Sequence, residues 1–404
     1  MKSRDPILLF STRVLRLFAY GSLSVILALY LAETGLTERI IGLLFSLTLV
    51  GDAGISLWLT TSADRIGRKR MLLLGSLLMV LAGVVFLLTR NVYLLTAAAI
   101  IGVISPSGNE IGPFLSIEQA ALSQLVPDRQ RTKIFAWYNL SGSFATATGA
   151  LVGGWVAKIL QSNGWNPLDS YRFILSGYAL AGVLLFVLFL SLSPAVEAPA
   201  GAPAVQRTLG LHKSRRVVGR LSVLFVLDAF AGGLIIQSLM AYWFHLRFGV
   251  DEAVLGSLFF AANILAGVSA LLAVRLAAKI GLINTMVFTH IPSSLLLMLV
   301  PLMPSLPLAI AALLARFSIS QMDVPTRQSY TLAVVAPDER SAASGVTTIA
   351  RSVGAAISPS LGGLLISIPA LFSAPFFLCG GLKIVYDLLL YRSFKMQKPP
   401  EELT

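Results

Sequence analysis

The chain has 404 residues, of which 56% are hydrophobic and only 12% are charged, and its mean hydropathy is +0.81. A soluble domain carries about 25% charged residues, so this composition excludes an ordinary soluble domain and indicates that lipid surrounds most of the chain. The formal net charge of +12 would suit a nucleic-acid-binding protein, but the placement of the basic residues explains it by membrane topology instead.

Twelve apolar stretches follow one another along the chain, each long enough to span a hydrocarbon core as an α-helix. We predict spans at residues 7–32, 40–62, 71–89, 93–126, 134–160, 171–192, 221–246, 254–276, 283–302, 306–335, 343–366 and 371–391. The fourth and tenth spans are long and are interrupted by SPSGNEIGP and by SQMDVP. The first span is too long for the apolar core of a signal peptide, so we expect the chain to retain it.

The basic residues fall mainly on one side of these spans. With the N-terminus inside, 20 Lys and Arg residues lie in the inner segments and only five in the outer ones, namely Arg39, Arg90, Lys158, Arg172 and Arg247. Cytoplasmic loops carry the Lys/Arg excess. We therefore predict a multi-pass protein of the inner or plasma membrane with both termini cytoplasmic, and we expect no nucleic-acid partner.

A linker divides the chain into two related halves. We predict a six-helix bundle at 1–193, a cytoplasmic linker at 194–220 that is rich in Pro, Ala and Gly, a second six-helix bundle at 221–392 and a tail at 393–404. Four segments recur in the same order at offsets of 209–214 residues, for example ADRIG at 63–67 and AAKIG at 277–281. The repeat predicts an all-α membrane protein whose twelve helices form two pseudo-symmetric six-helix bundles.

The segment ADRIGRKR, between the second and third spans, carries a family resemblance. Asp64, Arg65, Gly67, Arg68 and Lys69 match the loop signature G-x-x-x-D-R-x-G-R-R/K of the major facilitator superfamily, while Thr60 stands in place of its leading Gly. The resemblance implies a secondary transporter in which these five residues form a conformational latch. The alternative is that they are ordinary topogenic charges.

A second, partial resemblance lies in the fifth span, where GALVGG is similar to the G-P-x-x-G-G motif of proton-driven exporters in that superfamily. Gly149, Gly153 and Gly154 match, but Ala150 replaces Pro. The repeat partner SPSLGG in the eleventh span supplies Pro359, Gly362 and Gly363. The alternative is generic close packing of helices through small residues.

Ionisable residues inside the spans are candidates for function, because each is costly in lipid. A desolvated carboxyl near mid-bilayer can load and release protons, so we predict proton coupling at Glu110, Asp52 or Asp323. The alternative for each is a buried carboxyl that is hydrogen-bonded to a neighbouring helix.

Glu118 and Arg327 are repeat partners with opposite charge. They are candidates for a gate between the halves, and separate ion pairs within each half are the alternative. Polar candidates for the substrate cavity are Asn139, Asn263, His290, Arg316 and Gln321. We expect Arg13 and Arg16 to extend toward the inner surface, and Lys383 to pair with Asp387 four residues later.

The leading prediction is a secondary transporter that moves a small solute by alternating access and is coupled to protons, with export of amphipathic compounds favoured. The alternatives are uptake of a small polar metabolite by a symporter or uniporter, and a transport-inactive sensor or scaffold. The chain lacks an ATP-binding loop, a metal-ligand cluster and a nucleophile with its base, so we expect no enzymatic activity, no cofactor and no metal. The expected partners are a small-molecule substrate, protons or another coupling ion, and the lipid bilayer, and we expect a monomer.

Overall fold

The computed structural model describes residues 4–109, 114–197, 212–336 and 339–397, without the side chains of residues 64, 128, 129, 131–133 and 341. The described residues form the helices α1 (Asp5–Glu33), α2 (Glu38–Ile66), α3 (Arg68–Leu88), α4 (Val92–Ile101), α5 (Phe114–Leu125), α6 (Asp128–Ser162), α7 (Pro167–Leu190), α8 (Arg215–Gly233), α9 (Gln237–Phe248), α10 (Glu252–Ile280), α11 (Leu282–Leu299), α12 (Leu306–Phe317), α13 (Asp323–Ala333), α14 (Arg340–Ile366) and α15 (Ala374–Phe394).

Membrane-length helices account for most of the described residues. Ten helical stretches are long and apolar enough to cross a bilayer, and α4 and α12 are shorter apolar helices. These two lie where the fourth and tenth spans were predicted to be interrupted. The ten stretches and the two short helices together reproduce the twelve predicted spans, so the prediction of an all-α membrane protein is confirmed.

Local sequence explains several helix boundaries. Asn91 accepts hydrogen bonds from two backbone N–H groups in the first turn of α4, and Asn166 does the same for one in α7. Such side-chain caps satisfy donors that a helix start leaves unpaired. Gly67 separates α2 from α3 at φ 121°, a backbone conformation that favours glycine.

The described chain divides into two compact units. Unit 1 comprises Met1–Pro203 and Gln237–Phe260, and unit 2 comprises Ala204–Ile236 and Ala261–Thr404. Residues 237–260 come from the second half of the sequence but pack within unit 1. The Ser238 hydroxyl donates to the carbonyl oxygen atoms of Ser24 (2.8 Å) and Pro106 (2.6 Å). The division at residues 193, 220 and 392 is a prediction about membrane topology and stays one.

Unit 2 is built around α8, which packs along α14 and α15, while α11 packs on α15. Its apolar core includes Phe225, Met286, Tyr330, Tyr386 and Leu390, all buried. Several helices of this unit also carry ionisable side chains into the interior, and those around Asp228 form the principal candidate site.

Candidate functional site

Asp228, on α8, is the centre of a buried ion network in unit 2. Its carboxylate accepts hydrogen bonds from Lys383 Nζ at 2.7 Å, Arg351 Nη1 at 2.7 Å and Arg327 Nη1 at 3.3 Å. The side chain of Asp228 is only 3% exposed. A buried carboxylate is tolerated when it is paired and hydrogen-bonded, so α8, α13, α14 and α15 are joined at this single group.

His290, on α11, extends the network toward α15. Its Nδ1 lies 3.0 Å from Asp387 Oδ1, and its Nε2 lies 3.3 Å from Lys383 Nζ and 3.9 Å from Asp228 Oδ1. A lysine ammonium can only donate, so Nε2 accepts from Lys383. The neutral ring therefore carries its proton on Nδ1 and donates it to Asp387.

Arg327 and Asp323 form the third part of the network, four residues apart on α13. Arg327 Nη1 donates to Asp323 Oδ2 at 2.6 Å and its guanidinium lies 5.7 Å from the ring centre of Phe225. Both side chains are buried. The predicted coupling residue Asp323 thus lies close to Asp228, and Arg327 joins the two carboxylates.

The other cavity candidates of unit 2 lie around this network. Arg316, on α12, lies over the ring of Phe317 at 4.8 Å, and its buried Nε has no hydrogen-bond acceptor among the residues that the structure describes. The backbone N–H of Gln321 donates to Ser269 Oγ at 3.4 Å. Asn263 is partly buried on α10.

Unit 1 contains a second buried ion pair. Arg16 on α1 donates to both carboxylate oxygens of Glu118 on α5, at 3.0 and 2.7 Å. Thr12 Oγ1 donates to the same carboxylate at 2.8 Å, and so does the Tyr138 hydroxyl. Glu118 and Arg327 therefore each have ion-pair partners within their own unit, which is the alternative to a gate between the halves. The gate itself stays a prediction.

The remaining described candidates of unit 1, Asn139 and Asp52, lie on α6 and α2. Arg13 Nη2 donates to Asn139 Oδ1 at 3.4 Å, and Asn139 is exposed. Asp52 is partly buried on α2 and accepts a hydrogen bond from Ser56 at 3.0 Å, one turn along the same helix. Glu110 lies outside the described residues.

The latch segment lies against the end of α7 and the residues that follow it. The backbone N–H groups of Arg68 and Lys69 donate to the Glu197 carboxylate at 2.6 and 3.3 Å, so Glu197 caps the start of α3. Lys69 Nζ donates to the carbonyl oxygens of Leu190 and Leu192 at 2.7 and 2.8 Å. Arg65 is exposed, and the side chain of Asp64 lies outside the described part of the structure.

The glycines of GALVGG bring helix backbones into direct contact within unit 1. A Cβ added at Gly149 would lie 2.1 Å from the Phe18 carbonyl oxygen, and one at Gly154 would lie 2.1 Å from the Glu252 carbonyl oxygen. In unit 2, a Cβ at Gly362 would lie 2.1 Å from the Leu234 carbonyl oxygen. These positions therefore accept only glycine without movement of the backbone.

Two expectations about charged residues were wrong, one about exposure and one about pairing. Arg16 does not extend toward the surface but is fully buried against Glu118, and Arg13 is buried as well. Lys383 pairs with Asp228, and Asp387 with His290, rather than with each other. Arg16 pairs with a carboxylate 102 residues away in sequence instead of extending to the surface, and Lys383 has a partner on α8 instead of the residue that helix spacing suggests.

Sequence reasoning did not select Asp228, Arg351, Lys383, Asp387 or Arg16 as site residues. A signal for them was present, since all are ionisable residues within predicted spans. The sequence did not show that α8, α11, α14 and α15 bring their side chains together around one carboxylate.

Comparison with known proteins agrees with this architecture. A family model described as the Major Facilitator Superfamily matches residues 9–320 and 239–404. The chain is 32% identical over 419 residues to the uncharacterized membrane protein YJR124C of Saccharomyces cerevisiae, an alignment that covers 96% of this chain and 93% of that protein.

Two solved structures share the fold at low sequence identity. One is a variant of the nucleoside transporter NupG, with a TM-score of 0.78, 13% identity and coverage of 96% of this chain and 100% of that one. The other is a D-xylose-proton symporter, with a TM-score of 0.72, 16% identity and coverage of 96% and 97%. These similarities confirm the predicted fold of two six-helix bundles.

Proposed function

This chain belongs to the major facilitator superfamily, whose members are secondary transporters of small molecules, and on that basis we propose that its transport is coupled to protons at His290 and Asp387. The observation that supports this coupling site is the position of His290 between Asp387, Lys383 and Asp228. Histidine is the side chain that exchanges protons near neutral pH. Glu110, Asp52 and Asp323 remain further candidates for the same role.

Binding of one proton by His290 would change the charge balance of the whole ion network. With His290 neutral, the three carboxylates Asp228, Asp323 and Asp387 balance the three cations Arg327, Arg351 and Lys383, so the net charge is zero. A proton on Nε2 would remove the acceptor of the Lys383 hydrogen bond and place an imidazolium near Asp228. Lys383 and His290 would then compete for one carboxylate, which weakens the bond between α8 and α15.

Such competition can couple protonation to a conformational change. A ligand, including a proton, shifts an equilibrium between two conformations only by its differential affinity for them. The Asp228–Lys383 bond provides that difference if it is intact in one conformation and broken in the other. Alternating access then exposes the solute site to opposite faces of the membrane in the two protonation states.

We propose that the protein exports an amphipathic compound. This direction is supported by the glycine series in α6, which consists of Gly149, Gly153 and Gly154. Gly149 and Gly154 place α6 in backbone contact with α1 and with the start of α10, both within unit 1. The resemblance of this series to the exporter motif favours antiport. Symport of a polar metabolite is the alternative, and the sign of the driving pH gradient separates the two.

We further propose that the protein acts as a monomer in the inner or plasma membrane with both termini cytoplasmic. The support for this orientation is the excess of Lys and Arg in the segments assigned inside. The orientation can be tested with single cysteines introduced at residue 39 or 215 of the C379S variant. Intact cells are treated with a thiol reagent that does not cross the membrane, and labelling of each cysteine is measured. Labelling at position 39 but not at 215 is expected.

The coupling proposal can be tested in proteoliposomes loaded with a pH-sensitive dye. A panel of radiolabelled metabolites is first screened by counterflow, which requires no gradient. An acidic interior should then drive uptake of the identified solute if the protein is an antiporter, and an acidic exterior if it is a symporter. Absence of counterflow with every solute would favour the transport-inactive sensor.

The variant H290Q separates coupling from transport. It should retain counterflow but lose accumulation against the pH gradient, because the amide cannot carry a proton between the two states. H245Q is the matched control, since the ring of His245 contacts only the backbone oxygen of Val250 among its described hydrogen-bond partners. Unchanged gradient-driven accumulation in H290Q would show that coupling lies elsewhere.

A further inference from the structure

In the described helices of unit 2, the charged side chains within the spans include more cations than carboxylates. The cations are Arg316, Arg327, Arg351 and Lys383 and the carboxylates are Asp228, Asp323 and Asp387, which leaves one positive charge in excess when His290 is neutral. Asp323 pairs with Arg327, and Asp387 pairs with His290. Asp228 alone therefore serves Lys383 and Arg351 and also contacts Arg327.

Arg316 is the cation that the protein does not balance. Among the residues that the structure describes, no hydrogen bond or ion pair of its side chain is found, and its buried Nε has no acceptor. Its guanidinium lies 4.8 Å from the ring centre of Phe317. A cation within a membrane segment is costly and normally pairs with a carboxylate or a backbone carbonyl, so this one points to an acceptor that arrives from outside the chain.

Arg316 lies within reach of the Asp228 network. Cys379 lies close enough to both Arg316 and Lys383 for each cation to act on its side chain, and Lys383 follows Cys379 by one helical turn on α15. Arg316 also interacts electrostatically with Asp323. The guanidinium therefore lies beside the network, whose own charges balance, and its positive charge is in excess.

Arg351 is the accessible edge of this cationic region. Its side chain is 32% exposed, against 12% for Lys383 and 3% for Asp228. Among the described residues, one of its five N–H donors has an acceptor, the Asp228 carboxylate. A planar guanidinium with free donors matches the two oxygens of a carboxylate, which is why arginine predominates at such sites.

We propose that the transported solute is a small organic anion whose carboxylate is bound by Arg316 and Arg351. This inference rests on the proposed transport function and names its substrate class. A monocarboxylate would balance the one excess charge. It would also share Lys383 and Arg351 with Asp228, so binding of the anion and protonation of His290 act on the same ion pairs.

The chemistry of the region disfavours the other substrate classes. An organic cation would meet four basic side chains and find each carboxylate already paired. A neutral sugar or nucleoside would leave the Arg316 guanidinium without a counter-charge in the membrane. Only an anion removes that cost.

The test compares acids with their neutral amides on the purified full-length protein. Melting temperature is measured with benzoate, phenylacetate and lactate, with benzamide, phenylacetamide and lactamide, and with sodium chloride at equal ionic strength. A ligand at about 100 times its Kd stabilises the folded state measurably, so at least one acid should raise the melting temperature by about 2 °C or more, while its amide and chloride should not.

Two arginine variants locate the effect. R316Q should abolish the acid-induced shift and should not lower the melting temperature of the ligand-free protein, because Arg316 has no described hydrogen-bond or ion-pair partner to lose and its buried charge is itself costly, and R316K should restore part of the shift. R275Q, on the exposed face of α10 in the same unit, should behave as the wild type. A shift that persists in R316Q, equal shifts with acid and amide, or no shift with any acid would each overturn the proposal.

Counterflow of the same compounds distinguishes failure of the substrate class from failure of the transport function. If neutral or cationic solutes exchange equally well in wild type and R316Q, the anion proposal fails and transport stands. If acids stabilise the wild type but no compound exchanges, the anion site stands and the transport function fails.

Discussion

Lys383 and Asp228 form a direct 2.7 Å bond between α15 and α8, although 155 residues separate them in the sequence. Both side chains are nearly excluded from solvent. The carboxylate is shared with Arg351 and Arg327, so its removal would leave three cations without their common partner. Loss of a single partner from a buried ion pair is far more costly than absence of the whole pair.

The variant D228N should therefore lower the free energy of unfolding of unit 2 by about 3–5 kcal/mol. The measurement is the melting temperature of the purified protein in detergent. D169N is the matched control, because Asp169 pairs with Arg172 at a partly exposed position, where such pairs contribute about 0–1 kcal/mol.

The double variant D228N/K383M tests whether the two residues are energetically coupled. Removing both charges should cost less than the sum of the two single losses, since residues in one ion network are not additive. Additive losses would show that the Asp228–Lys383 bond contributes nothing beyond packing.

Glu118 provides the equivalent prediction for unit 1. E118Q should remove the charge that neutralises Arg16, which is fully buried, and should destabilise the protein by about 3–5 kcal/mol. The control is E33Q, a change to a carboxylate at the end of α1. A loss below about 1 kcal/mol would mean that the buried Arg16 is stabilised by other groups.

Charge exchange then decides between the two hypotheses for Glu118. The exchange R16E/E118R should recover stability relative to E118R alone, because the pair is reconstituted within unit 1. The exchange E118R/R327E should not. Recovery of transport by the second exchange and not by the first would instead support the gate.

Glu339 makes stability depend on pH near the start of α8. Its carboxylate accepts hydrogen bonds from the backbone N–H groups of His212, Lys213 (2.8 Å) and Ser214 (2.8 Å). The hydrogen bond with the Ser214 side chain and these N–H groups lower the pKa of Glu339 from 4.5 to about 2, against the opposing effect of burial. Because the folded state holds the ionised form, its stabilisation is complete above about pH 4.5 and is lost as the pH falls toward 2.

The measurement is hydrogen exchange of the His212–Ser214 amides between pH 6 and pH 3, corrected for the intrinsic exchange rate. Protection should decrease toward pH 3 in the wild type. In E339Q it should be low and independent of pH over this interval. If E339Q showed the same dependence of amide protection on pH as the wild type, the Glu339 carboxylate would not be the group that makes protection depend on pH.

The positions of the spans could be predicted from sequence because they depend on local properties. An apolar run of membrane length forms a helix whatever lies beside it, and the interruptions near Pro106 and Pro325 mark the short helices α4 and α12. The repeat further divided the chain into two halves. Compact unit 1 nevertheless includes residues 237–260, because Ser238 and Glu252 bond to residues of the first half.

The composition of the ion networks could not be predicted in this way. Helix spacing suggested that Lys383 would pair with Asp387, four residues away, since both lie on one face of α15. The actual partners, Asp228 and His290, are brought close by packing of α8 and α11 against α15. Arg16 similarly finds Glu118 on α5. Pairing between distant helices depends on tertiary structure, of which a single sequence holds no direct record.

The glycine series in α6 gives a prediction that separates packing from conformational freedom. In G154A the new Cβ would lie 2.1 Å from the Glu252 carbonyl oxygen and 2.8 Å from Gly256 Cα, so α6 and α10 must move apart, and overpacking of this kind costs about 1–3 kcal/mol. The control is G177A in α7, where a Cβ meets nothing within 4 Å and where alanine should stabilise the helix by about 0.5–1 kcal/mol. Opposite changes in melting temperature are expected for the two variants. Equal changes would mean that backbone contact at Gly154 is not what requires glycine there, and the resemblance to the exporter motif would lose its physical basis.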